Sequence, residues 1–344
     1  MFIRMPACTQ SLHPDINAAV YRNMTAADRP PVPDKNLQFI SIYNEKSAIL
    51  GGSNMTDRYW AGTVWYYDEI SNFAKEKAFL ATKTESGVCD GAYLAEDKFV
   101  VGEDSGILQI IGITENTHSN LQELQSLGSS CQHDDSLLTL SVTADKSRVV
   151  TGGMDYCIKM WDIEELISTY SFGFAHTNIV TSVDTKPESD SEFVSVSLDS
   201  ELLMWDVRQP KPAKSVFKND IGLTAVSWSP TSDHIIAIGS RSGHITLIDT
   251  RSTDTPMQHN VSVFSRGVHK LKFNPNTKRS EQLACCCDDV AVKVLNVNKD
   301  LSLVYENSNH TDFVRGLAWH SDHLYTCSWD NSVIKHVVNS DNGQ

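Results

Sequence analysis

The sequence predicts an all-β fold in which one small sheet unit recurs seven times around a closed ring. The clearest copy lies at residues 133–162, where alternation over 138–142, a β-branched run at 149–151 and alternation over 157–161 each fit a strand. Gly152, Gly153 and Asp155 mark a tight turn between the second and third of these strands. A unit this small cannot bury its own faces, so copies must stack on one another.

The copies are found by spacing. Asp155 precedes the Trp161-Asp162 pair by six residues, and the same interval separates Asp199 from Trp205, Ser242 from Ile248, Asp289 from Leu295, Asp330 from His336 and Ser105 from Ile111. A degenerate first copy ends at Tyr67-Asp68. Taking Tyr67, Ile111, Trp161, Trp205, Ile248, Leu295 and His336 as anchors, the intervals are 44, 50, 44, 43, 47 and 41 residues. A period of roughly 40 to 45 residues with a Trp-Asp ending resembles the WD-repeat family, which implies a seven-bladed WD40 β-propeller over residues 37–338. That family carries a buried tetrad of His, Ser or Thr, Asp and Trp. The resemblance places it at His133, Thr151, Asp155 and Trp161, and again at His176, Ser195, Asp199 and Trp205. The last copy has His310, Thr326 and Asp330 but His336 in place of Trp, so a weaker network is expected there.

The unbroken repeat argues for one domain across the 344 residues. With 29 Lys and Arg against 43 Asp and Glu, the net charge of −14 disfavours direct binding to nucleic acid or an anionic membrane and favours a basic protein partner. The eight cysteines include no Cys-x-x-Cys pair. Cys157, Cys285, Cys286, Cys287 and Cys327 fall in expected strands as small apolar residues, so a reduced chain without a metal site is the expectation. No apolar run is long enough to span a membrane and the N-terminus lacks a secretory pattern, so the chain is expected inside the cell.

In chain order, residues 1–36 contain five prolines and read as an arm, either disordered or supplying the outer strand of the last blade to close the ring. The first copy carries about seven extra residues, 53–59, between its second and third strands. This insertion reads as a rim loop leading into Arg58, Tyr59 and Trp60, three residue types that dominate binding hot spots, so it is the expected partner-binding element. Residues 113–132 should form a surface strand and loop. The fourth copy ends with Trp205, Asp206, Val207 and Arg208, which resembles the motif by which some WD-repeat substrate receptors dock onto cullin ligase adaptors; Asp249 and Arg251 repeat it in part. Lys270, Lys272, Lys278 and Arg279 read as a solvated basic face, and residues 339–344 as a polar tail.

No nucleophile elbow, phosphate loop or zinc-protease motif occurs, so a non-catalytic platform for proteins is expected, without a cofactor. The stretches 58–68, 84–90, 103–106, 155–162 and 310–319 resemble the family of methylosome WD-repeat subunits. That resemblance implies an obligate partner of the arginine methyltransferase that makes symmetric dimethylarginine, in a hetero-octamer of four enzymes and four propellers. It also implies Arg/Gly-rich substrates such as Sm proteins and histones, which an acidic propeller attracts. A cullin-ligase receptor using Arg208, or a generic assembly scaffold, are the other readings. Because successive strands run antiparallel, Trp60 and Arg208 should lie on opposite faces of the disc.

Overall fold

The computed structural model describes residues 36–43, 46–56, 59–74, 77–115, 121–252 and 256–338. The arm, Arg58 and the polar tail fall outside them, except that the first strand, Asn36–Ile42, begins one residue inside the expected arm.

Seven antiparallel sheets follow one another at 36–84, 88–131, 137–172, 180–218, 223–262, 268–307 and 314–337. Each runs in simple strand order; six have four strands, and the seventh has three among the described residues. Consecutive pairing of this kind puts the turns between second and third strands, together with the blade-to-blade connections, on one face, called upper here. The remaining turns lie on the lower face.

Stacking rather than any single blade creates the core. Val194, Val196 and Leu202 of the fourth blade pack with Leu223, Val226, Trp228 and Ile236 of the fifth, and every one of these side chains is buried. The ring closes in the same way, since Leu37, Leu50, Trp65 and Tyr67 of the first blade share a cluster with Tyr325 and Cys327 of the last. Burying large apolar side chains from both partners contributes about 1.5 to 3 kcal/mol per residue, so neighbouring blades stabilise one another. Phe73, from the connection after the third strand of the first blade, reinforces the closure: its ring sits 6.0 Å from that of Tyr325, and its carbonyl accepts a hydrogen bond from Tyr67.

The turn spacing read from the sequence has a backbone cause. The residue after the turn position is left-handed at Gly106 (φ 81°), Tyr156 (65°), Ser200 (73°), Gly243 (84°) and Asn331 (65°). In the third blade the strand after the turn begins at Ile158, not at Cys157.

The innermost strands of all seven blades line a central channel of about 470 Å³. One expectation fails here. Lys270 is not part of a solvated basic face: it points into the channel, where its Nζ donates to Asp90 Oδ1 at 2.9 Å. Strand alternation fixes the side on which a residue lies, but not that this side faces the ring axis. Burial works to lower the Lys270 ammonium, yet the Asp90 charge and hydrogen bond leave it above its usual value. Arg279 likewise engages Asp322 at 3.1 Å and the Val338 carbonyl at 2.7 Å, while Lys272 is exposed.

Candidate functional site

The insertion in the first blade is not a loop. The second strand runs Ala48–Thr56 and the third Tyr59–Tyr67, so the extra residues lengthen both arms of a hairpin. Pairing continues without a bulge from Ser53 opposite Gly62 through Met55 opposite Trp60 to Thr56 opposite Tyr59. The insertion continues as a ladder because its backbone groups have partners on both arms, which a polar composition does not prevent. Tyr59 and Trp60 therefore sit near the tip of a ribbon on the upper face.

The base of that ribbon is held firmly. Ser53 Oγ donates to the Val88 carbonyl at 3.1 Å, joining the first blade to the second. A Cβ at Gly62 would come within 2.2 Å of Thr84 Oγ1 and 2.6 Å of the Ser86 carbonyl, so only glycine permits this approach.

Behind the upper face stand the tetrads. His133 Nδ1 lies 2.8 Å from Asp155 Oδ2, His133 Nε2 2.7 Å from Thr151 Oγ1, and Trp161 Nε1 donates to Thr151 Oγ1 at 2.8 Å. In the fourth blade His176 lies 2.8 Å from both Asp199 and Ser195, and Trp205 donates to Ser195 at 2.9 Å. Trp can only donate, so the hydroxyl accepts from it and donates to His, whose second nitrogen donates to Asp. Every polar group in this buried chain is matched. Burial pushes the Asp155 carboxyl up, but the bonds from His133 and from the Cys157 and Asp134 amides outweigh it and hold the group below its ordinary value. Asp199 is lowered in the same balance, while burial lowers His176.

The last blade keeps a bonded network with His336 in the position of Trp. His310 reaches Asp330 at 2.9 Å and Thr326 at 2.7 Å, and His336 Nε2 lies 2.8 Å from the same Thr326 Oγ1. The far nitrogen of His336 meets the Tyr305 hydroxyl at 3.0 Å. An imidazole thus fills the donor position of the indole and extends the chain into the sixth blade.

The second blade contains a latch that the sequence reading missed. Glu103 Oε2 accepts from both the Ser86 amide and its hydroxyl at 2.8 Å, and Ser86 Oγ lies 2.8 Å from Ser105 Oγ. Glu103 is fully buried with its other oxygen unpartnered, and burial raises its carboxyl above the usual range despite the Ser86 bonds. A carboxylate where the third blade has Gly153 was the available signal.

Arg208 sits after the third strand of its blade, on the lower face, and its side chain is 63% exposed. It is engaged with its own neighbours: Nε donates to Asp206 Oδ1 at 2.8 Å, and Nη2 reaches Asp206 Oδ2 at 3.0 Å and Glu192 Oε1 at 3.2 Å. These bonds hold the Asp206 carboxyl down at about 2. Arg251 grips Asp249 in the same way.

Comparison with known proteins agrees with this architecture. The family described as WD domain, G-beta repeat matches residues 124–162 and 301–334. The methylosome protein WDR77 of Xenopus laevis is 31% identical over 318 residues, covering 91% of this chain and 92% of that protein. Protein valois of Drosophila melanogaster is 24% identical over 321 residues, covering 87% and 85% of the two chains. The E3 ubiquitin-protein ligase COP1 of Arabidopsis thaliana is 27% identical over 193 residues, 55% of this chain but 27% of that protein.

Proposed function

The chain belongs to the family of methylosome WD-repeat proteins, and we propose that it is the non-catalytic adaptor of a type II protein arginine methyltransferase. In this reading four propellers and four enzymes assemble, and the propeller recruits and orients Arg/Gly-rich substrates such as Sm proteins and histone tails for symmetric dimethylation. The complex works in cytoplasm and nucleus. The observation that carries the proposal is the lengthened hairpin of the first blade, which puts Tyr59 and Trp60 near the tip of a ribbon whose base is fixed by Ser53 and Gly62. An aromatic on a pre-ordered ribbon costs little entropy to bury against a partner. The net charge of −14 adds long-range attraction for cationic substrates.

A cullin-ligase receptor is less well supported, because the Arg208 guanidinium is already paired with Asp206 and Glu192. The deciding experiment is capture from cell extract with the tagged chain, followed by mass spectrometry. An arginine methyltransferase as the dominant partner supports the proposal, and a cullin adaptor in its place overturns it. Labelled methyl transfer by the purified chain alone would refute its non-catalytic part.

A further inference from the structure

The upper face carries its cations unevenly. Its loops from the second blade to the connection after the fourth, at 85–87, 103–106, 132–136, 154–157, 173–178, 198–201 and 219–222, contain no Lys or Arg. Beyond them the fifth and sixth blades present exposed Arg241 and Arg266, but Arg266 lies 3.8 Å from Asp289 and beside exposed Asp288, so among the described residues only Arg241 stands there without an acidic partner. Within the acidic sector Asp134, Asp135 and Asp220 are exposed, and none of them forms an ion pair among the described residues.

Apolar side chains stand in the same sector. Phe174, in the connection between the third and fourth blades, is 83% exposed, and Met154 and Ile221 are 39% and 43% exposed in neighbouring loops. Phe174 also holds a left-handed backbone (φ 53°), a conformation that is unfavourable for a bulky residue. Gly173 beside it has open space where a side chain would be, while Ala175 packs back onto the cluster between the third and fourth blades, so the exposure is confined to the tip of the loop. The fold gains nothing from a strained phenylalanine in water.

We propose that this sector of the upper face is a docking surface for an extended, cationic peptide segment, with Phe174 as its apolar anchor. The charge of the surroundings selects the occupant: guanidinium or ammonium groups meet Asp134, Asp135 and Asp220, while an apolar side chain or the stem of an arginine packs on the Phe174 ring. An extended chain suits the layout, because the apolar and acidic groups are spread along successive loops instead of converging on one pocket. Arg241, which forms no ion pair among the described residues, disfavours such a chain over the fifth blade. The inference rests on the adaptor reading and assigns its substrate contact to a place separate from the hairpin of the first blade.

The test uses the full chain without enzyme and a fluorescein-labelled peptide of alternating Arg and Gly containing one Phe, followed by anisotropy. Phe174→Ser should weaken binding roughly tenfold. The double variant Asp134→Asn/Asp220→Asn should weaken it about threefold at low salt, and that difference should vanish in 0.5 M salt. Arg241→Gln should leave binding unchanged or tighten it. Thermal melting that matches the parent chain keeps loss of fold from mimicking loss of contact. If only the aspartate variants act, the effect is a diffuse field and the anchored site is overturned. No change in any variant overturns the proposal too, as does a Phe174→Ser chain that binds peptide normally but no longer captures the methyltransferase, since the face would then belong to the enzyme. Failure of the adaptor reading itself is separate: it appears as absence of methyltransferase capture by the unmodified chain.

Discussion

His336 Nε2 lies 2.8 Å from Thr326 Oγ1, the separation at which Trp161 Nε1 meets Thr151 Oγ1 in the third blade. An imidazole therefore does the hydrogen-bonding work of an indole, and unlike indole it titrates. Burial, with the neighbouring His310, depresses His336 to about 4 from the ordinary 6.5. The unfolded chain then binds more protons than the native one between these values, so stability is full above pH 6.5 and falls as pH drops toward 4. The loss is on the order of 3 kcal/mol. His336→Gln can donate to Thr326 and accept from Tyr305 without titrating, so its melting temperature should fall less steeply over pH 6.5 to 4. Parallel curves for the two proteins would refute the assignment.

Asp155→Ala, Asp199→Ala and Asp330→Ala should each cost about 1.5 to 3 kcal/mol, since each removes the charged end of a buried chain. Asp289 is half exposed, with Arg266 at 3.8 Å and no His partner, so Asp289→Ala should stay within about 0.5 kcal/mol. Urea denaturation midpoints for the four variants distinguish the classes.

Glu103→Gln should stabilise the protein at neutral pH by about 1 kcal/mol, because the amide keeps an acceptor for Ser86 and removes a buried group whose ionisation is opposed by burial. The sign is opposite to that of His336. A carboxyl raised in the native state loses stability as pH increases, so the benefit of glutamine should shrink toward pH 4. A melting temperature unchanged at pH 7.5 would contradict this.

Gly243→Ala should destabilise by more than about 1 kcal/mol, since φ is 84° and the new Cβ would lie 2.1 Å from the Phe264 carbonyl oxygen. Calorimetry of the single variant reads this directly.

Trp60→Ala should weaken methyltransferase binding by about 2 kcal/mol or more, with Arg208→Ala nearly neutral. Titration calorimetry with the purified enzyme measures both. Full affinity in the Trp60 variant would remove the hairpin from the interface while leaving the fold as described.

The repeat was legible because hairpin geometry keeps the turn residue six positions before the packed one, whatever that residue is. Identity alone said too little at His336, where loss of Trp suggests a weaker network but does not show that imidazole Nε2 can stand where indole Nε1 does. Backbone pairing explains the error at the insertion. The ladder through Met55 and Trp60 depends on partners across a turn, and a polar composition does not reveal that register. Lys270 was misread because its partner comes from a blade on the other side of the channel, and the Glu103 latch was missed because it has no counterpart in the regular copies.

The bond between Asp90 and Lys270 also constrains how the chain is made. The two residues are 180 positions apart, and at a synthesis rate of roughly 5 to 20 residues per second Asp90 leaves the ribosome about 10 to 40 s before its partner exists. Until then the carboxylate on the inner strand of the second blade faces an unfinished ring with no cation across it. An arc of early blades therefore lacks one of the contacts that hold the finished disc, and that contact forms only when the sixth blade arrives at the opposite wall.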